Sequence, residues 1–290
     1  MGIITDRSAI MYNELTLTIL IMRYKKITSP SNPHIKEALK IRDRKISRRH
    51  DMLIEGPHLI EMALASRTGI KRVFFTDSSY SKYPGLFKQL SSNDAELFET
   101  TEHVLGHLSD TETPQGIAAI ASFNFLDLEE LSLGLNPLAV ICDSIQDPGN
   151  LGTIIRTADA AGADAVIILP GTCDPLLPKV VRATAGSVFT IPLVFVESRV
   201  LLQWLKEKAI TLFVTDVNAS RSIYETDLRK PLAFALGNEA KGVNESLRRE
   251  GEVFVKIPIL GRAESLNVAT SAAICLYEAV RQRGALASVW

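Results

Sequence analysis

The chain has 290 residues, 46% of them apolar and 22% charged, with a formal net charge of −1. That length allows one large domain or two moderate ones, and the composition excludes a disordered chain. Near-neutrality excludes a global basic field, so any nucleic-acid binding has to come from a local patch.

Cys142, Cys173 and Cys275 are scattered and odd in number, which gives neither a disulfide framework nor a metal cluster. They read as reduced thiols of a cytoplasmic protein. In chain order, the apolar run 15–22 is too short to span a bilayer. Arg23, Tyr24, Lys25 and Lys26 follow it with no small-residue cleavage site, so neither a membrane anchor nor a signal peptide is expected. Residues 1–24 read as an N-terminal extension without an assigned role.

Between Met22 and His50 stand ten Lys or Arg residues and only two acids, Glu37 and Asp43. Ile35, Leu39 and Arg42 recur there at helical spacing. Such a run is ordinarily a solvated helix face. The alternative is a phosphate-contacting patch of Lys36, Lys40, Arg44, Lys45, Arg48 and Arg49. A short helix is predicted over 59–64 and strands over 71–76 and 116–122, so 25–122 reads as a small α/β module. His103 and His107 have i,i+4 spacing but lack a third ligand, so they read as a surface pair and no metal is expected. Residues 123–136 have mixed polarity and read as a linker that includes a helical turn.

From 137 onward the pattern is cleaner. Strands are predicted over 138–142, 165–169, 212–215, 232–236 and 253–257, with helices over 151–161, 177–184, 199–208 and 266–283. Strands alternating with helices predict a mostly parallel sheet covered on both faces, and the strands are apolar on both sides, as such a sheet requires.

Three segments at strand ends carry candidate chemistry. The first runs from Asp143 through Asp147-Pro148-Gly149-Asn150 to Gly152, Arg156 and Thr157. Pro148 and Gly149 suit a tight turn, and Arg156 lies one turn into the following helix. Its glycines, Gly149 and Gly152, do not make the G-x-G-x-x-G of a dinucleotide site, which argues against a nucleotide-dependent oxidoreductase. The second is Leu236-Gly237-Asn238-Glu239-Ala240-Lys241-Gly242, a polar loop between two glycines that suits a ligand crevice. The third is Ile257-Pro258, then Ser265-Leu266-Asn267-Val268-Ala269; Ser265 or Asn267 can cap the last helix, whose amino end offers N–H groups to an anion. Each alone is an ordinary turn or cap.

Together and in this order, the three resemble the signature motifs of SpoU/TrmH methyltransferases of the SPOUT superfamily. Arg182-Ala183-Thr184-Ala185-Gly186 also resembles that family, as do Ile27-Thr28-Ser29, Glu55-Gly56 and the stretch from Thr111 to Gly116. Two positions depart from the usual pattern: Ala240 stands where a glycine commonly follows the glutamate, and Thr184 where serine is common.

The resemblance implies an α/β fold: a C-terminal parallel-sheet domain over 137–290 with a deep trefoil knot, preceded by a small L30e-like RNA-binding domain. It implies an enzyme that uses S-adenosylmethionine (AdoMet) to methylate a ribose 2′-hydroxyl of structured RNA, with large-subunit ribosomal RNA favoured over transfer RNA, and a homodimer. A non-catalytic RNA-binding assembly factor of the same fold is the alternative. Position by position, Arg156, Asn150, Glu239, Ser265 and Asn267 take the catalytic roles. Leu236, Gly237, Gly242, Ile257, Pro258, Leu266, Asn267 and Ala269 take the donor.

Overall fold

The computed structural model describes residues 6–11, 20–44, 50–238 and 241–284. The chain divides into two compact units, Met1–Asn124 with Leu176–Arg182, and Phe125–Pro175 with Ala183–Trp290.

The first unit contains β1 (Asp6–Met11), β2 (Leu20–Ile27), α1 (Pro33–Arg42), β3 (Asp51–Glu55), α2 (Pro57–Ala65), β4 (Ile70–Phe75), α3 (Asp77–Lys82), α4 (Pro84–Ser91), β5 (Glu96–Thr100), α5 (Glu102–Leu108) and β6 (Ile117–Ser122). Its six strands lie in the order β1-β2-β5-β4-β6-β3. The β2, β5 and β4 pairings are parallel, and the β1–β2, β4–β6 and β6–β3 pairings are antiparallel. The stretch read as an extension therefore supplies an edge strand, and the apolar run ends inside β2. Leu20 to Met22 had no clear alternation with polar residues, which hid the strand.

Helix α1 forms because Asn32 caps it, its Oδ1 accepting from the His34 N–H at 2.9 Å, and because Pro33 is tolerated where the N–H has no partner. It buries Ile35, Ala38 and Ile41 against Phe74 and Phe98 of the sheet. Lys36 and Lys40 fall on its exposed face. Arg42 donates to the His107 carbonyl at 2.8 Å and Arg44 to that of Asp51 at 2.8 Å. Lys45, Arg48 and Arg49 lie outside the described residues.

Two separated motifs of this unit meet. The Glu55 carboxylate accepts from Ser109 at 2.5 Å and Thr111 at 2.8 Å, while the Gly56 N–H donates to the Ile117 carbonyl at 2.9 Å. Gly56 has φ +93°, so a side chain there is strained.

The second unit contains β7 (Leu138–Cys142), α6 (Pro148–Ala160), β8 (Ala165–Ile168), β9 (Leu193–Phe195), α8 (Ser198–Glu207), β10 (Thr211–Thr215), β11 (Arg221–Ser222), β12 (Leu232–Leu236), α9 (Glu245–Glu250), β13 (Val253–Lys256) and α10 (Val268–Gln282); α7 (Pro178–Ala183) spans the division between the units. The strand order is β11-β13-β10-β12-β7-β8-β9, and every pairing is parallel.

Ile141, Ile167, Val194, Leu212 and Ala235 pack with Leu201, Trp204 and Leu205 of α8 in one core. The segment read as a linker joins this core: a 3-10 turn over Leu128–Glu130 inserts Leu128, and Leu126, Leu131 and Leu133 pack beside it. Leucines at alternating and triplet spacing gave no single period, so the burial was not legible. Strands β9 and β11 and helix α9 were also unpredicted; at three, two and six residues they are too short to show periodicity.

Candidate active site

All three motifs leave the sheet at the carboxyl ends of its strands, where a parallel sheet has its ligand crevice. A cavity of about 260 Å³ opens there, at the ends of β10, β12 and β13. Leu236, Val255, Ile257, Leu266 and Val268 supply an apolar part of its lining, and Asn238, Lys241, Ser265 and Ser271 a polar part.

The second motif is shaped by a backbone crossing. A Cβ on Gly237 would fall 2.1 Å from the Gly242 carbonyl carbon and 2.2 Å from the Val243 nitrogen. No side chain fits there, because the chain returns directly over this residue. The crossing is closed by paired backbone bonds between Asn238 and Gly242, of 3.0 and 2.8 Å. Gly242 has φ +69°, which a glycine adopts without steric cost. Below the loop, the buried Asp143 carboxylate at the end of β7 accepts the Asn244 N–H, and Asn238 Nδ2 donates to the Ser144 carbonyl at 3.2 Å. The loop is thus held at both ends. Glu239 and Ala240 lie outside the described residues.

The first and third motifs are joined side chain to side chain. Asp147 caps α6, accepting from the Asn150 N–H at 2.8 Å. Asn267 caps α10, its Oδ1 accepting from Ala269 and Thr270 N–H groups at 2.9 and 3.3 Å. The remaining amide arm of Asn267 donates to Asn150 Oδ1 at 2.9 Å. One asparagine therefore ends a helix and positions the other motif. Two of the N–H groups expected to greet an anion are already taken by this cap.

Of the sequence-predicted residues, Leu236, Gly237, Gly242, Ile257, Ser265 and Leu266 line the cavity. Pro258, Asn267 and Ala269 are not among its lining residues: Pro258 is exposed, Ala269 is buried under the first turn of α10, and Asn267 serves as its cap. Asn150 reaches the site through Asn267. Arg156 is exposed on α6, while Leu151, Gly152, Ile154, Ile155 and Ala158 are the buried residues of that helix.

Sequence reading missed Thr215, Asp216, Val217, Asn218 and Arg248, all of which line the cavity. The only available signal was that the turn follows a strand. Sheet order, which places β10 between β12 and β13, brings it to the crevice. Burial, then the Asp147 and Asp174 carboxylates, push Cys173 up to about 11, and burial pushes Cys275 up to about 12, which disfavours their thiolate forms.

The profile of the SpoU rRNA Methylase family matches residues 137–277, and that of the MRM3-like substrate binding domain matches 32–119. The 23S rRNA (guanosine(2553)-2′-O)-methyltransferase RlmP of Bacillus subtilis is 34% identical over 254 residues, covering 87% of this chain and 98% of that protein. The chain belongs to the SpoU rRNA methylase family. The 23S rRNA (guanosine-2′-O-)-methyltransferase RlmB of Pseudomonas putida is 39% identical over 176 residues, 58% of this chain and 71% of the relative. Among solved structures, an AdoMet-bound rRNA methyltransferase from Sinorhizobium meliloti superposes with a TM-score of 0.80 at 31% identity, covering 89% of this chain and 98% of that one.

The crossing separates the two loop glycines energetically. Gly242→Ala is expected to cost about 1–2 kcal/mol, the penalty of a left-handed residue with a Cβ. Gly237→Ala is expected to cost more than about 4 kcal/mol or to leave the loop unformed, since backbone atoms must move. Thermal melts of both variants, followed by calorimetry with S-adenosylhomocysteine, check the order; equal destabilisation refutes it.

Proposed function

We infer that this protein is an AdoMet-dependent methyltransferase acting on a ribose 2′-hydroxyl of large-subunit ribosomal RNA. The observation that carries the reading is the cavity at the ends of β10, β12 and β13, walled by a loop that only glycine at 237 permits. Its mixed lining fits a nucleoside: apolar side chains for the base, and polar groups and backbone for the rest. Leu236, Gly237, Ile257 and Leu266 are the residues to hold the adenosyl part. When bound, AdoMet supplies an already activated sulfonium methyl.

Positioning can then provide much of the acceleration. The ribose hydroxyl is a weak nucleophile and gains from proton loss. A guanidinium does not serve as a simple base in proteins, so Arg156 is given another part. Its role is to clamp the phosphate next to the target and lower the hydroxyl pKa by its charge. Asn150 and Asn267 order the two helix starts around the acceptor, with Ser265 and Glu239 orienting the ribose.

We further propose a homodimer in which Arg156 works beside the partner's donor. Its exposure on α6 and its absence from the lining of its own chain's cavity support this. The knot is proposed on the strand order, in which β13 inserts between the earlier strands β11 and β10. An experimental chain trace through 237–268 is the check. The first unit is proposed to be an L30e-like substrate-binding domain, supported by its mixed α/β sheet and its profile match. Lys36 and Lys40 stand on its RNA-facing helix. The buried, unpaired thiols Cys142 and Cys275 suit a reducing cytoplasm.

Arg156→Lys keeps the charge but loses the planar fork. Its single-turnover rate is expected to fall by about tenfold or more, with S-adenosylhomocysteine affinity unchanged; a full rate removes the clamp. Sedimentation velocity at micromolar concentration is expected to show a dimer, and a monomer alone removes the shared site. Lys36→Glu with Lys40→Glu is expected to weaken RNA binding and lower its salt slope by about 1 per lysine. An unchanged slope moves the RNA contact elsewhere.

A further inference from the structure

One wall of the cavity has no role in the reading above: the turn after β10 and Arg248 of α9. The turn is rigid. The Asp216 N–H donates to the Val255 carbonyl at 3.0 Å, fastening the turn to the neighbouring strand. Its Oδ1 accepts from the Asn218 N–H at 2.8 Å and its Oδ2 from Arg248 Nη1 at 2.8 Å. The Asp216 side chain is 11% exposed against 44% for Arg248. Arg248 also stands at the glycine loop, its Nη2 3.5 Å from the place a Cβ on Gly242 would take.

We propose that Asp216 reads the ribose diol of the donor's adenosine, with Arg248 as its positioning partner. This inference rests on the AdoMet reading and names a specificity residue within it. Among the described lining residues Asp216 is the only carboxylate, and Lys241, Arg248 and Lys256 line the same cavity. The wall therefore offers no net negative potential to the donor's ammonium or sulfonium, which would meet cations there. A carboxylate whose charge is already matched still has acceptor capacity on both oxygens. Two adjacent acceptors on one rigid group suit two adjacent hydroxyls, as in other nucleotide sites where an acidic side chain takes the ribose. A ligand lacking a hydroxyl leaves an acceptor in the wall without its donor, which makes the site selective.

The test is calorimetry of the full chain with S-adenosylhomocysteine, its 2′-deoxy and 3′-deoxy analogues, and 5′-methylthioadenosine. The unaltered protein is expected to bind each deoxy analogue about tenfold more weakly than the parent. Asp216→Ala is expected to bind parent and analogues within about twofold of one another. Asp216→Asn keeps an oxygen for the Asn218 N–H and removes one acceptor; it is expected to cut the penalty to below about threefold, and serves if the alanine chain does not fold. Equal binding of all ligands by the unaltered protein overturns the proposal, as does a tenfold penalty that survives in a folded Asp216→Ala. A loss in Asp216→Ala confined to ligands with the amino-acid tail, sparing 5′-methylthioadenosine, assigns the carboxylate to the ammonium and also overturns it. Failure of the folded, unaltered protein to bind S-adenosylhomocysteine is a different result, and defeats the donor reading itself.

Discussion

The second unit is organised around a place where the chain passes over itself. At Gly237 the backbone leaves β12 with Gly242 and Val243 lying against it, closer than any Cβ permits. This contact sets the shape of the loop and therefore one wall of the crevice. It also explains the polar ties around it. A loop folded back this tightly brings backbone N–H and C=O groups together, and each needs a partner. Asn238 pairs with Gly242, and the buried Asp143 takes the Asn244 N–H. The carboxylate at the end of β7 thereby holds a loop that follows β12, its neighbour in the sheet.

Rigidity of this kind fits a reaction that depends on position. The methyl donor is chemically ready, so the protein contributes geometry and charge more than bond-making. The Asn267–Asn150 bond serves the geometry by fixing the starts of α10 and α6 relative to each other. In the proposed clamp the charge comes from Arg156, further along α6 and exposed. A guanidinium keeps that charge at any working pH, which suits a clamp and not a proton acceptor.

The proposed recognition of RNA has a separate basis in the first unit. Several of its cations are committed to acids: Lys25 and Arg72 to Glu96, Lys26 to Glu99 and Lys71 to Asp51, at distances of 2.6 to 3.2 Å. These pairs cancel locally and add little attraction for a polyanion. Helix α1 takes part through Glu37, which pairs with Arg72 at 2.8 Å, while its Lys36 and Lys40 are exposed. A chain near neutrality overall can thus concentrate positive charge on one helix.

The sequence by itself determined the alternating strands and helices of the second unit, because their apolar runs report burial on both sheet faces. It also carried the two loop glycines and narrowed the cap of the last helix to Ser265 or Asn267, since backbone conformation and helix ends act through adjacent residues. Short elements such as β9, β11 and α9 escaped it, having too few residues to show a period. So did Leu128, whose burial depends on a core assembled from distant strands. Tertiary structure alone decided that Gly237 is irreplaceable because of what crosses it. It alone joined Asn267 to Asn150 across 117 positions. It alone put Asp216 and Arg248 into the cavity, because strand order is a long-range choice that no local pattern of side chains encodes.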